Sequence, residues 1–321
     1  MRDLLALPKA NLHLHLTGAM RPATLVELAA RSGLPVPPPL PAAGAHGWEV
    51  FQSRYDTARA VLRTAADLAR VVTEAIEADA AGGATWVEIQ VDPTSYAARL
   101  GGEAEVVAAI VDAAGDRAGV ILAASWAGSP ENALRVARLA ARNAGAGVVG
   151  FGLSNDERRG RVADFVPAFQ VAAEAGLLAV PHAGFYEPAW HVRDCVRLLG
   201  AARIGHGLTA AADPATMALL AERRVALELC PTSYPPLGVC DLAALPVRAL
   251  LAAGVPVAFG SDDPLLFGVD LVGQYDIARR SVGLTDAELA SVARSSVTAS
   301  AAPPARRGAM LAGIEDWLAS G

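Results

Sequence analysis

Two histidines stand two positions apart near the start of the chain, within the stretch NLHLHLTG at residues 11–18. Leucines alternate with His13 and His15, so a β-strand here would place both imidazoles on the same face. Side chains at positions i and i+2 of a strand can reach a single ion, and imidazole is a common ligand of transition metals. The spacing predicts that His13 and His15 begin a metal site. The alternative is a strand that carries two histidines on a polar face.

Other reactive side chains directly follow β-rich runs later in the chain. They are His182, His206, Asp262 and Asp263. Each of these histidines could by itself be a structural core residue. Because all of them stand at the carboxyl ends of predicted strands, we expect them to form one functional site together with the first pair.

Eight β-rich runs recur along the chain, separated by Ala-rich helical stretches. They are residues 11–18, 85–91, 119–125, 148–153, 177–180, 203–207, 225–230 and 255–260. Eight strands that alternate with helices predict a closed (β/α)8 TIM barrel rather than a doubly wound sheet. No Gly-x-Gly-x-x-Gly motif follows the first strand, which disfavours a dinucleotide-binding fold. We therefore expect an α/β fold with residues 1–321 in a single barrel domain.

The first gap between predicted strands is the longest, and it predicts an insertion over residues 17–84 that forms a helical lid at the barrel mouth. Within it, residues 23–31 have helical spacing, residues 34–41 are too rich in proline for a helix or a central strand, and residues 50–81 form a long amphipathic stretch. Near the other end, the sequence TDAE at 285–288 is a capping box that opens a helix.

A divalent ion at this predicted mouth would find three neutral imidazoles and one carboxylate, those of His13, His15, His182 and Asp262. Such a set holds one ion and leaves one position for water. Zinc in this setting lowers the pKa of the bound water to about 7, so hydroxide becomes available at neutral pH. The sequence therefore predicts one Zn²⁺ per chain, with these four residues as its ligands.

Two more residues complete the predicted catalytic group. His206 would stand beside the metal-bound water and accept its proton or stabilise its charge. Asp263 follows a predicted ligand and would face the opposite side of a regular strand, so it reaches the site only if the chain turns before Pro264. Its alternative role is to cap the helix that begins there.

Composition limits the classes of partner. The net charge is −6 and no run of Lys or Arg occurs, so the chain has no electrostatic footprint for nucleic acid. No apolar run reaches the roughly 18 residues that span a bilayer, and the start lacks the features of a signal peptide. The three cysteines are too scattered for a disulfide framework, and Cys230 is interpreted as inert core packing. We expect a cytoplasmic protein that acts on a small-molecule substrate, without a nucleic acid or membrane partner.

Four sequence blocks resemble the signatures of the adenosine and AMP deaminase family. They are PKANLHLHL at 8–16, HAG at 182–184, RIGHG at 203–207 and SDDPLLF at 261–267. The resemblance extends over nearly the full length, including the lid insertion and the segment ARSS at 293–296. It implies a zinc hydrolase that adds water to the amino-bearing carbon of a purine and expels ammonia. The resemblance also implies that Gly184 lies at the substrate and that Asp263 binds one of its ring nitrogens.

Four positions depart from the family pattern. Phe185 stands where the family has the Glu that protonates a ring nitrogen; Glu187 could replace that acid, or could be a solvated loop carboxylate. Thr17 stands where the family has an Asp that contacts the ribose hydroxyl, and Asn155 stands where the family has a Gly whose amide binds another ring nitrogen. Trp126 stands at the end of strand three, where the family often has a basic residue. We expect these positions to contact the substrate, and the substrate to be an amino-substituted purine or related heterocycle other than adenosine.

Two other functions remain open from the sequence. One is a metal-dependent amide or ring hydrolase on the same barrel, because a fold alone does not fix the reaction. The other is a catalytically weak homologue that binds a ligand without turnover. The retained ligand set, with none of its four members replaced, argues for an active enzyme.

Overall fold

The computed structural model describes residues 1–38, 40 and 44–320. Parallel strands form one eight-stranded sheet in chain order. The strands are β1 Lys9–His15, β2 Ala84–Val91, β3 Ala118–Ser125, β4 Val148–Ser154, β5 Leu178–Ala183, β6 Arg203–His206, β7 Ala226–Leu229 and β8 Val257–Phe259. Asp262 lies just after β8. Its carbonyl accepts a hydrogen bond from the backbone N–H of His15 (3.0 Å), and its backbone N–H donates to the carbonyl of His13 (2.9 Å). These bonds bring the chain after β8 back to β1, and the predicted (β/α)8 barrel is confirmed.

Helices connect the strands and surround the sheet. They are α1 Pro22–Ser32, α2 Trp48–Ala60, α3 Ala65–Ala81, α4 Thr94–Leu100, α5 Glu103–Ala114, α6 Pro130–Arg142, α7 Val166–Glu174, α8 Ala189–Leu198, α9 Pro214–Arg223, α10 Val247–Ala252, α11 Pro264–Phe267, α12 Leu271–Ile277, α13 Asp286–Ala299 and α14 Pro304–Ala319. Within the described part of the chain, none of them combines the length and apolarity that a bilayer crossing requires.

The segment between β1 and β2 divides into two parts. Helix α3 packs against β2 and α5, so it belongs to the outer ring of barrel helices rather than to a lid. Helix α2 instead contributes one wall of a cavity at the carboxyl ends of the strands. The inserted wall is therefore shorter than the 17–84 segment expected from the sequence.

The long amphipathic stretch predicted over residues 50–81 forms two helices, α2 and α3. Thr64 precedes α3 and forms a capping box with Asp67: the Thr64 hydroxyl accepts from the Asp67 N–H (3.1 Å), and the Thr64 N–H donates to the Asp67 carboxylate (2.9 Å). This pair satisfies amides that have no partner within the helix. In the proline-rich stretch, residues 34–38 and 40 adopt neither helix nor strand, and residues 39 and 41 lie outside the described part of the chain.

A helix near the carboxyl end of the chain supports β1, the strand that carries the first two histidines. Helix α13 packs against β1 and β8. It begins at the predicted capping box, where the Thr285 N–H donates to Glu288 (2.7 Å) and the Glu288 N–H donates to the Thr285 hydroxyl (3.2 Å). The Ser296 hydroxyl on this helix accepts from the N–H of Ala10 in β1 (3.0 Å). The register of β1 is thus anchored from outside the barrel.

Candidate active site

Four side-chain atoms from three regions of the barrel come together, and three of the pairs among them lie 3.2–3.5 Å apart. The Nε2 atoms of His15 on β1 and His182 on β5 lie 3.2 Å apart. The Oδ1 atom of Asp262 lies 3.5 Å from Nε2 of His13 and 3.4 Å from Nε2 of His15. Ligands of a tetrahedral ion at about 2.0–2.1 Å are roughly 3.3 Å apart. Within the described part of the chain, Nε2 of His13 is buried and has no hydrogen-bond partner. The imidazoles of His13, His15 and His182 form one candidate group for a metal ion, and the Asp262 carboxylate lies beside two of them. This donor set suits a divalent ion.

The turn after β8 brings two consecutive carboxylates to the same cavity. Asp262 adopts a left-handed conformation (φ 58°), which is uncommon for a residue with a side chain and breaks the alternation of a strand. Both Asp262 and Asp263 therefore line the cavity. Asp263 occupies the position before α11 but makes no capping bond with its side chain, and its buried Oδ1 has no hydrogen-bond partner among the residues that the structure describes. Of its two predicted roles, the geometry favours the one at the site.

Burial and neighbouring charges set the protonation of this group. Burial opposes ionisation of Asp262, but the imidazoles of His13 and His15 beside its carboxylate hold its pKa well below the usual value. Burial and the adjacent Asp262 carboxylate raise the pKa of Asp263. Burial, followed by repulsion from His13, lowers the pKa of His206 to about 3. His206 is therefore a neutral imidazole at physiological pH.

His206 stands next to the ligand group and against an aromatic wall. Its ring centroid is 4.7 Å from that of His13 and 5.2 Å from that of His182. The ring of Phe185 lies 4.6 Å away on another side. The Cys230 thiol lies close enough to His13, His206 and Asp262 to share a metal ion with them. Burial raises the pKa of this thiol well above the usual value, which disfavours the thiolate that a metal requires. This agrees with the interpretation of Cys230 as core packing.

A buried chain of charges fixes the orientation of His13. Its Nδ1 lies 3.1 Å from Glu228 of β7, and Glu228 accepts from Nε of Arg203 (2.6 Å). Arg203 also donates to Glu88 of β2 (2.5 Å). Burial opposes the charge on Glu228, yet Arg203 and the bond to His13 lower its pKa. A carboxylate on Nδ1 leaves Nε2 free for a metal. Glu228 was not predicted as a site residue. Its only signal in the sequence is that it is a single acidic residue within an apolar strand.

The cavity in front of this group has a volume of about 370 Å³, within the range of about 300–1,000 Å³ typical of small-molecule sites. His15, His182, His206, Asp262 and Asp263 form one end of it. Much of the remaining wall is aromatic, formed by Trp48, Phe51, Tyr55, Tyr96, Phe185 and Tyr186. Such a lining suits a planar heterocycle that stacks on rings and presents a reactive carbon to the polar end.

Besides Asp263, two of the residues predicted to contact the substrate line the cavity. Phe185 forms part of its apolar wall. Asn155 lies at the end of β4 in a left-handed conformation (φ 72°). Asparagine tolerates this conformation better than most residues, which explains how it can stand at a position where relatives were expected to carry glycine.

The other three do not line it, so the expectation of direct contact is not met. Thr17 is fully buried and its hydroxyl bonds to that of Tyr96 (2.7 Å). Trp126 is also fully buried, and its indole N–H donates to the carbonyl of His182 (2.9 Å), so it positions a metal ligand. Gly184 has φ 70°, and a Cβ there would lie 2.5 Å from the Val192 side chain. This glycine is required by the backbone.

Glu187, predicted as a replacement acid or a solvated carboxylate, does not line the cavity. The carboxylate at this wall belongs to Glu157 instead. Oε1 of Glu157 accepts from three consecutive backbone amides, those of Phe185 (2.9 Å), Tyr186 (2.6 Å) and Glu187 (2.6 Å). Its Oε2 lies 3.3 Å from Nδ1 of the fully buried His191 on α8. No local pattern marked Glu157, because its partners come from another strand end.

A parallel barrel with a histidine and aspartate cluster at the carboxyl ends of its strands is typical of barrel hydrolases. The adenosine deaminase family model matches residues 8–317, and the chain belongs to this family.

Individual relatives agree with that assignment. The chain is 50% identical to a Streptomyces coelicolor protein provisionally named adenosine/adenine deaminase, over 99% of this chain and 98% of that protein. The crystal structure of an adenine deaminase from Arthrobacter aurescens superposes with a TM-score of 0.88 at 28% identity, over 98% of this chain and 99% of that one. An amidohydrolase from Burkholderia ambifaria, with bound Zn, gives 0.83 at 26% identity, over 99% and 93%.

Proposed function

We propose that the protein is a zinc-dependent hydrolytic deaminase whose substrate is an amino-substituted purine or related heterocycle other than adenosine. The observation that carries the proposal is the group of His13, His15, His182 and Asp262 beside an aromatic cavity, in which three pairs of donor atoms lie 3.2–3.5 Å apart. A zinc ion held there would supply a water molecule of lowered pKa.

The residues around that position have distinct roles in the proposed reaction. His206 stands beside the ligand group as a neutral imidazole, and it would accept the proton of the attacking water or stabilise its charge. Asp263, whose Oδ1 has no partner, faces the heterocycle and binds one of its ring nitrogens. Glu228 and Trp126 act indirectly, since they orient His13 and the backbone of His182.

Phe185 determines which heterocycle the site can use. A carboxylic acid at this position would protonate a ring nitrogen as the water attacks, and such help is worth about 10²- to 10⁴-fold. The ring of Phe185 has no proton to give and adds an apolar wall beside His206. The natural substrate is therefore already activated, or presents a bulkier and less polar edge than adenosine at this point.

The test is ammonia release from a panel of adenosine, adenine and other aminopurines, measured with the zinc-loaded full-length protein. The expected result is turnover of at least one free or substituted aminopurine, with adenosine poor or inactive. His206→Ala, loaded with zinc to the same level, is the matched control and should be inactive. A panel hydrolysed without ammonia would favour an amide or ring hydrolase, and zinc-loaded protein that converts no member of the panel would overturn the proposal.

A further inference from the structure

One face of helix α2 is directed into the cavity. Residues 48, 51, 52, 55, 56 and 59 all line it, which is the spacing of a single helical face. Arg59 on this face is already engaged, since it donates to Asp56 (2.6 Å) and to the Ser95 hydroxyl (3.0 Å). Tyr55 is different, because its phenol combines a large ring with a hydroxyl at the polar end of the wall.

The surroundings of Tyr55 fix its ring. The ring centroid of Phe51 lies 6.0 Å away, and the guanidinium of Arg59 lies 5.8 Å above the phenol ring. At the other end, Thr17 and the Asp263 carboxylate are among the groups around the Tyr55 hydroxyl that influence its pKa. The phenol therefore reaches from the inserted helix to the residue proposed to bind a ring nitrogen.

The Tyr55 hydroxyl has a hydrogen to donate. The Thr17 hydroxyl is paired with that of Tyr96 by one bond of 2.7 Å, in which either hydroxyl can donate. Among the described residues the Tyr55 hydroxyl makes no side-chain hydrogen bond of this kind, and a phenol carries one donor hydrogen. Tyr55 is only partly buried and lines the cavity. Its hydrogen is therefore available to a bound molecule.

We propose that Tyr55 is a substrate-binding residue whose hydroxyl donates a hydrogen bond to an acceptor atom of the bound heterocycle, such as a ring nitrogen or an exocyclic oxygen. The inference rests on the proposed function for the location of the substrate. Burial raises the pKa of the phenol well above its usual value, so the hydroxyl stays protonated and acts as a donor rather than as an acid. Because Tyr55 belongs to α2, the binding site is complete only when this helix covers the cavity.

The test compares Tyr55→Phe with Ser53→Ala, a control on an exposed position of the same helix. With the best aminopurine of the panel, Tyr55→Phe should raise KM about 5- to 20-fold and leave kcat less affected, while Ser53→Ala matches the parent protein. Melting temperatures of both variants report the fold. A Tyr55→Phe protein with parental KM and parental binding would overturn the inference.

A failure of the proposed function can be separated from a failure of this inference. If the parent protein releases no ammonia, calorimetric binding of adenine and hypoxanthine is the readout. Weaker binding by Tyr55→Phe, with Ser53→Ala unchanged, supports the role of Tyr55 in the absence of deamination. Equal binding by all three proteins, or no binding of either base by the parent, overturns it.

Discussion

The Oε1 atom of Glu157 accepts a hydrogen bond of 2.9 Å from the backbone nitrogen of Phe185. The same oxygen also holds the next two amides of the loop, so a buried carboxylate anchors the segment that carries the aromatic wall. Phe185 in turn packs against His206 at 4.6 Å. Phe185 stands where an acid was expected, and the loop that carries it is held by the carboxylate of Glu157, whose role is structural.

Glu157→Gln should destabilise the protein, whereas Glu187→Gln should not. The first change removes the negative charge from a side chain whose oxygen accepts three hydrogen bonds from backbone N–H groups. The free energy of unfolding should fall by about 1–3 kcal/mol. The second alters a partly buried loop side chain and should stay within about 0.5 kcal/mol. Urea unfolding measures both. Full stability but abolished ammonia release in Glu187→Gln would instead identify Glu187 as the missing acid.

The protein as purified without chelators should contain about one zinc per chain. His15→Ala removes one of four donors and should lower the occupancy sharply, because the remaining ligands no longer enclose the ion. Elemental analysis of the parent and the variant measures this directly. A parent protein that carries no transition metal, and takes up none from added zinc, would contradict the ligand assignment.

His206→Ala should retain zinc and lose turnover by about 10²-fold or more, the usual contribution of a general base. The reason is that His206 lies beside the ligands rather than within the 3.2–3.5 Å set of His13, His15, His182 and Asp262. Metal content and initial rates are measured on the same preparation. Loss of zinc in this variant would show that His206 is itself a ligand.

Phe185→Glu should raise adenosine deamination by about 10-fold or more, since it restores a proton donor next to His206. Phe185→Gln is the matched control, because it has a similar size but no acidic proton. The second reversion considered from the sequence, Thr17→Asp, is not expected to help, since Thr17 is buried beneath Tyr96 and a charge there would be costly. A parent protein as active on adenosine as Phe185→Glu would disprove the importance given to Phe185.

Stability should fall as pH rises from about 4 to about 7 because of Asp79 on α3. Burial raises its pKa to about 7, so in this window the folded state holds a proton that the unfolded state has released. Asp79→Asn should remove this slope and stabilise the protein at pH 8 by roughly 1–3 kcal/mol, while Asn11, which donates to Asp79 (2.9 Å), keeps an oxygen acceptor. Urea unfolding at several pH values tests this. An unchanged slope would exclude Asp79 as its source.

The sequence by itself determined the elements and the residues that their ends expose. Alternation in β1 placed His13 and His15 on one face, and a barrel brings strand ends together, so the ligand group of His13, His15, His182 and Asp262 could be predicted before any coordinates. These predictions depend on periodicity within one strand, which is a local property. The 285–288 capping box was equally local and is present in the structure.

Only the tertiary structure decided what the loops beyond the strands do. Trp126 bonds to the carbonyl of His182, and Glu157 holds Phe185, contacts that join residues 56 and 28 positions apart. The left-handed turn at Asp262 directs Asp263 into the cavity, where a regular strand would have pointed it away. Beyond a strand end the direction of a side chain depends on individual backbone dihedrals and on partners from distant elements, and neither leaves a periodic trace in the sequence.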